Sequence, residues 1–180
     1  MANPSSSYKV AVAYFSMEIA LDPALPTYSG GLGVLAGDTL RAAADLGVPM
    51  AAVTLLHRKG YSRQLIDAQG QQTELPEQWK PEETLELMPP IAVVRLAGHD
   101  VRVRAWRFTV RGLHGHTIPV YLLDSNLESN KPADRELTDT LYGGDSHYRL
   151  AQEALLGIGG VELLRLMGHT AIRSYHMNEG

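Results

Sequence analysis

The chain has 180 residues, 44% of them hydrophobic and 20% charged, with sixteen Lys+Arg against twenty Asp+Glu and no cysteine. This is the composition of one soluble globular domain with a sizeable core, and a formal charge of −4 offers no basic face for nucleic acid and no polybasic membrane patch. A disulfide framework and a thiolate metal site are excluded, no run approaches the ~18 apolar residues of a membrane span, and a cytosolic setting is permitted.

Met1–Ser7 is polar, lacks the apolar centre of a signal peptide and reads as a frayed leader. Tyr8–Phe15 is a short apolar run that suits a buried strand of a parallel sheet, with its centre at Val10–Phe15. Ser16-Met17-Glu18 follows at the C-terminal end of that strand, where open α/β sheets place their ligands. Glu18 is therefore either a site carboxylate or a solvated loop charge. Asp22, Pro23 and Pro26 force an irregular loop up to Tyr28-Ser29-Gly30-Gly31-Leu32-Gly33. Three glycines within four residues allow φ > 0 and close approach of a ligand to the backbone. The helix predicted over Val34–Leu46 begins right behind them and stops at Gly47-Val48-Pro49. Strand, glycine turn and helix together present backbone N–H groups and a positive helix end to an anion. Two readings stand at this point, a phosphate or sugar-phosphate cradle and a tight turn that merely starts a helix. The spacing matches neither the dinucleotide fingerprint nor a P-loop.

Met50–Leu56 is a second buried strand, completing a βαβ unit. Tyr61–Ile66 and Gln71–Leu75 flank Asp67-Ala68-Gln69-Gly70 and predict a hairpin. Gln78–Pro90 is acidic, bounded by proline, and reads as a loop. Ile91–Leu96, Val101–Val110 and Thr117–Leu123 are three more strands, with turns at Gly98-His99-Asp100 and Gly112–Gly115. Val101, Val103 and Ala105 alternate with Arg102, Arg104 and Trp106, the pattern of a half-exposed antiparallel sheet. An antiparallel insertion over about 60–123 is expected within one domain, since no flexible linker isolates it. His114 and His116 read as turn histidines, with no third ligand nearby. Asp124, Asn126, Glu128 and Asn130 lack the glycine and terminal glutamate of a calcium loop. Asp145 or Ser146 caps a long helix reaching about Met167, and Gly157, Gly159 and Gly160 inside it require close packing against another backbone. Thr170–Met177 is a last strand. Nothing remains after Asn178-Glu179-Gly180 to hold the groups an α/β protein places there, so the sequence reads as interrupted.

Taken together, Tyr14-Phe15-Ser16-Met17-Glu18-Ile19, Tyr28 through Asp38, Leu141-Tyr142-Gly143-Gly144-Asp145 with Arg149-Leu150-Ala151-Gln152-Glu153, and His176-Met177-Asn178-Glu179-Gly180 resemble the α-glucan (glycogen/starch/maltodextrin) phosphorylases, closest to their shorter bacterial and archaeal branch. The resemblance covers essentially the whole chain and implies the N-terminal portion of a GT-B enzyme. That portion is an incomplete Rossmann-like α/β domain, 1–180, with the antiparallel insertion, and it lacks the C-terminal domain. It implies a glycosyltransferase that moves a terminal α-1,4-linked glucose of a glucan onto inorganic phosphate, giving glucose 1-phosphate. It also implies pyridoxal phosphate held by a lysine of the missing domain, a cytoplasmic setting, and a homodimer that would fit the family although no residue marks an interface.

By the same resemblance Gly30, Gly31, Leu32 and Gly33 face the phosphate and sugar, with Gly31 near the cofactor phosphate. Glu18 packs beneath the loop, and Asn178 and Glu179 approach a sugar-contacting histidine that would follow Gly180. No catalytic residue and no metal ligand is expected within the chain, which is expected to be inactive alone. A glycogen or starch synthase is the alternative enzyme, but it would carry a lysine where Tyr28 stands. A non-catalytic carbohydrate-binding half is the alternative of a different class.

Overall fold

The computed structural model describes residues 9–61, 63–75, 77 and 79–178. The leader at Met1–Ser7, Tyr8 of the first predicted strand, Gln78 of the predicted loop, and Glu179 and Gly180 lie outside the described residues. In chain order the elements are β1 (Val12–Phe15), α1 (Gly31–Asp45), β2 (Met50–Leu55), β3 (Arg63–Ile66), β4 (Gln72–Leu75), α2 (Pro81–Thr84), β5 (Glu86–Leu96), β6 (His99–Arg111) and β7 (Thr117–Asp124). They continue with α3 (Pro132–Arg135), α4 (Ser146–Ala154), α5 (Gly160–Leu166) and β8 (Ser174–Met177). A π-helical turn, Leu155–Gly159, joins α4 to α5.

Among the described residues one sheet runs in the order β5-β6-β7-β2-β1-β8, and the β3-β4 hairpin stands apart from it. The strands β7, β2, β1 and β8 are mutually parallel, while β5-β6 and β6-β7 are antiparallel. This is the expected α/β class, a parallel centre with an antiparallel extension, and the first, second and last predicted strands share the sheet. Thr117–Asp124 joins the two parts, antiparallel to β6 from Arg104↔Asp124 to Arg111↔Thr117 and parallel to β2 from Ala52↔Val120 to Leu55↔Leu123. It is buried on both faces: Val120 and Leu122 pack on one side of the sheet, Tyr121 and Leu123 on the other.

The sheet separates two apolar layers. Ala36, Leu40, Ala43 and Ala44 of α1 recur at helical spacing and pack on Tyr14, Ala52, Val120 and Leu122. Leu155, Leu156, Leu163 and Leu164 of the long C-terminal helix cover Ala13, Phe15, Val53 and Val103 on the opposite face. The expected packing of the helix glycines against another backbone is corrected: the neighbours are side chains, a Cβ on Gly160 lying 2.7 Å from Phe15 and 2.9 Å from Val53 and one on Gly159 lying 3.2 Å from Val94, while a Cβ on Gly157 would meet nothing within 4 Å. Asp145 is the cap, its Oδ1 accepting from the Tyr148 amide at 2.9 Å.

Other boundaries moved for physical reasons. Gly30 caps α1, so Gly31 and Gly33 lie inside its first turn rather than ahead of the helix. The loop expected over Gln78–Pro90 instead holds α2 and the first five residues of β5, because the sheet tolerates Pro89-Pro90 at an edge strand with a bulge between Leu87 and Ile91. The turn before β6 is Ala97-Gly98, both at positive φ, which returns His99 and Asp100 to the strand. The last strand begins at Ser174 rather than Thr170.

Candidate functional site

The C-terminal ends of β1, β2, β7 and β8 share one rim of the sheet, and the loops leaving them carry the polar groups. Ser16 tightens the exit from β1: its hydroxyl donates to the Glu18 carbonyl at 2.7 Å. The Glu18 side chain then turns inward and is buried. Its Oε2 accepts from the amide of Ser29 at 2.6 Å and of Gly30 at 3.2 Å, and from the Ser29 hydroxyl at 3.4 Å. Its Oε1 accepts from the Tyr142 hydroxyl at 3.2 Å. A carboxylate that takes the amides just before α1 fixes the loop and spends its own charge doing so. The next three amides, of Gly31, Leu32 and Gly33, are those a helix start leaves without an internal acceptor. The space beside the start of this turn is open, for a Cβ on Gly30 or Gly31 would meet nothing within 4 Å.

The glycines serve this turn differently from the expectation. None of Gly30, Gly31 and Gly33 has a positive φ; Gly30 sits at −152° in the extended region. Gly30 and Gly31 leave an unobstructed surface over the amides. Gly33 has a different task, since its Cβ would come 2.5 Å from Tyr28 Cβ and 3.1 Å from Glu18 Oε2. Gly37 is tighter still, for a methyl group there would run into the Ala20 carbonyl oxygen. Arg41 ties the same loop to α1 by donating to the carbonyls of Ala20 and Leu21 at 2.9 and 3.0 Å.

Asn178 closes the rim. Its amide donates to the Phe15 carbonyl at 2.8 Å, and its side-chain Nδ2 donates to Ser16 Oγ at 3.3 Å and the Leu32 carbonyl at 3.4 Å. Glu18, Gly30, Leu32 and Asn178 are thus brought together, with Gly31 and Gly33 on the same turn, while Glu179 lies outside the described residues. Beside them opens a cleft of about 550 Å³ lined by Phe15, Leu32, Tyr142, Gly157, Tyr175 and Asn178, among others. Gly157 belongs to the π turn, and such turns recur at functional sites.

Sequence reasoning missed the groups behind this wall. Tyr142, at φ 57°, stands in a motif quoted for the family yet gave no sign of reaching Glu18. His57, two residues past the end of β2, has no accessible surface, and its Nε2 lies 2.8 Å from the Met17 carbonyl. Burial lowers its pKa to about 4, against smaller opposing effects of the Met17 bond and the charge of Glu18. No motif marks a lone histidine at a strand end. Asp124 ends β7 fully buried and accepts from Arg58, Arg104, Trp106 and the Asn126 amide. Burial pushes that carboxyl upward, but the Arg58 and Trp106 hydrogen bonds with the Arg58 charge outweigh it and hold the pKa low. Asn130 pins Arg102 and Ser125 through its side-chain amide, so the polar run after β7 folds on itself. His114 and His116 sit in the β6-β7 hairpin turn, at the opposite rim.

No family model matches the chain. Glycogen phosphorylase of Mycobacterium tuberculosis is 43% identical to it over 183 aligned positions, which is 94% of this chain and 20% of that protein. Maltodextrin phosphorylase of Thermococcus litoralis is 41% identical, over 94% of this chain and 20% of its own length. Glycogen phosphorylase of Aquifex aeolicus is 37% identical, over 96% and 25%. The chain therefore spans a fifth to a quarter of the length of these curated relatives. The resemblance carried by the motifs is borne out, and the chain is homologous to a portion of the glycogen and maltodextrin phosphorylases.

Proposed function

We propose that these residues form the N-terminal, phosphate-facing wall of an α-glucan phosphorylase, an enzyme that transfers terminal α-1,4-linked glucose to inorganic phosphate. The observation that carries this reading is the capture of the Ser29 and Gly30 amides by buried Glu18, which leaves the first-turn amides of a fifteen-residue helix uncovered. An anion settling there meets N–H donors and the positive helix end without displacing any side chain. Glu18 holds the loop, the amides of Gly31, Leu32 and Gly33 bind the anion, and Asn178 keeps the β1 and β8 ends in register around it. Donors fixed in advance lose little reorganisation energy as charge develops on the phosphate, and this is the wall's contribution to the reaction.

The same wall fits the phosphate end of pyridoxal phosphate. When bound, that cofactor supplies a second phosphate group beside the reacting one. Among the described residues no lysine lines the cleft to anchor it, and Lys59 is ion-paired with Asp139 at 2.9 Å and Lys80 with Glu83 at 3.6 Å. The anchoring lysine would come from the C-terminal domain of the complete protein. The isolated chain is accordingly expected to be inactive.

The test is to express the complete reading frame and the 180-residue chain separately, and to assay glucose 1-phosphate from maltodextrin and inorganic phosphate. Phosphate-dependent product from the complete protein, and none from the chain alone, is the expected result. A complete protein that binds maltodextrin but never forms the phosphate ester would favour a carbohydrate-binding role instead.

A further inference from the structure

His57 carries several unfavourable features at one position. It adopts φ 51° without being glycine, its side chain is wholly enclosed, and its Nδ1 has no hydrogen-bond partner. Strain and an orphaned polar atom persist only where the surroundings enforce them, and they gather at functional sites. The enforcement is visible: the His57 carbonyl accepts from the Gly60 amide at 2.9 Å and from Trp79 Nε1 at 3.2 Å, while Leu56 is tied to Leu123. The backbone is held so that the ring reaches the Met17 carbonyl, just past the end of β1.

The ring's proton position follows from its partner. A carbonyl oxygen can only accept, so the hydrogen lies on Nε2 and is donated to Met17 O. Burial keeps the ring neutral, so Nδ1 is a bare acceptor. Met17 O receives a second, longer bond from Thr54 Oγ1 at 3.4 Å. The peptide following that carbonyl belongs to Glu18, whose own NH and CO are both engaged by Ser16 Oγ. Any rotation of the Met17–Glu18 peptide would swing the carboxylate away from Ser29 N and Gly30 N.

From this geometry we propose that His57 is a positioning residue for the phosphate-facing loop, acting through Met17 and Glu18 without touching the ligand. It sets the aim of the uncovered helix-start amides from behind the sheet rim. This inference rests on the loop being a phosphate site, but its physical content, that one buried N–H fixes the loop, stands apart from the reaction.

The experiment compares His57→Gln and His57→Phe in the complete protein. A glutamine amide nitrogen falls near the Nε2 position and can donate to Met17 O, whereas phenylalanine fills the space without a donor. Two quantities are read, amide hydrogen exchange resolved at Ser29 and Gly30 against the β2 amides, and KM for inorganic phosphate against kcat. The Phe variant is expected to exchange Ser29 and Gly30 about tenfold faster relative to β2 and to raise the phosphate KM about tenfold, the size of one hydrogen bond's net worth. The Gln variant should stay within about threefold of wild type in both.

If the Phe variant does not fold, His57→Asn replaces it, because its amide stops short at the Nδ1 position. Uniform acceleration of all amides, or a Gln variant no better than the donor-free one, would overturn the proposal. A wild-type protein without phosphorolysis would sink the functional reading, and the exchange comparison would still decide the role of His57.

Discussion

At the scale of single residues, charge and space are settled by burial. His57 is held at a pKa of about 4, against 6.5 when solvated, so the unfolded chain binds more protons than the folded one between those values. Stability therefore rises with pH across that window and is lost as pH falls from 6.5 toward 4, by about 3 kcal/mol at most. Asp124, held low by Arg58 and Trp106, adds a loss of the same sign at more acidic pH. Denaturant titrations of wild type and His57→Gln at pH 7.5 and 4.5 check this, the variant losing about 2–3 kcal/mol less between the two. Equal losses would show that the histidine gains a proton without opening the fold. Asp124→Asn is expected to cost about 3–5 kcal/mol, because Arg58 and Arg104 are left facing an amide in a buried site. A urea midpoint close to wild type would mean that solvent already screens the pair.

At the scale of elements, the turn into α1 shows where sequence and geometry part. Its place was legible, since an apolar strand, a glycine cluster and a periodic helix follow one another in Phe15 to Leu40. What the glycines do was not legible, because positive φ and close packing both demand glycine and only the folded geometry separates them. Gly31 and Gly37 give the contrasting test. Gly31→Val puts a branched side chain where nothing lies within 4 Å, so the melting temperature should hold while the amides are screened and phosphorolysis by the complete protein falls steeply. Gly37→Ala drives a methyl against the Ala20 carbonyl and should cost at least about 1–3 kcal/mol. Activity retained in the valine variant would make the loop a mere turn. Other elements hid for nameable reasons. Pro89-Pro90 reads as a strand breaker, and an edge bulge absorbs it. The π turn at Leu155–Gly159 has no signature beyond its glycines. His57 and Tyr142 act across 40 and 124 residues of sequence, a separation that no local pattern encodes.

At the scale of the whole molecule, the two sheet edges differ. β5 is interrupted by its bulge and proline pair, and its Arg95 keeps a charge at the rim beside Asp100. Such features discourage strand addition. β8 has none of them. Within the described residues it pairs with β1 alone, and Tyr175 and Met177 are 48% and 65% exposed at the mouth of the cleft. Ile158 of the π turn and Leu150 of α4 are exposed to similar extents, 56% and 64%. A bare strand edge next to uncovered apolar side chains favours association, through pairing of backbone groups and burial of the side chains together. The 180-residue chain on its own is therefore expected to self-associate, with a sedimentation coefficient that climbs with concentration. The double substitution Tyr175→Lys/Met177→Lys should return it toward a monomer, whereas Val93→Lys on β5 should leave the association largely intact. The pair of variants distinguishes edge-directed association from general stickiness: a monomeric wild-type chain, or equal relief from both substitutions, would remove β8 as the cause.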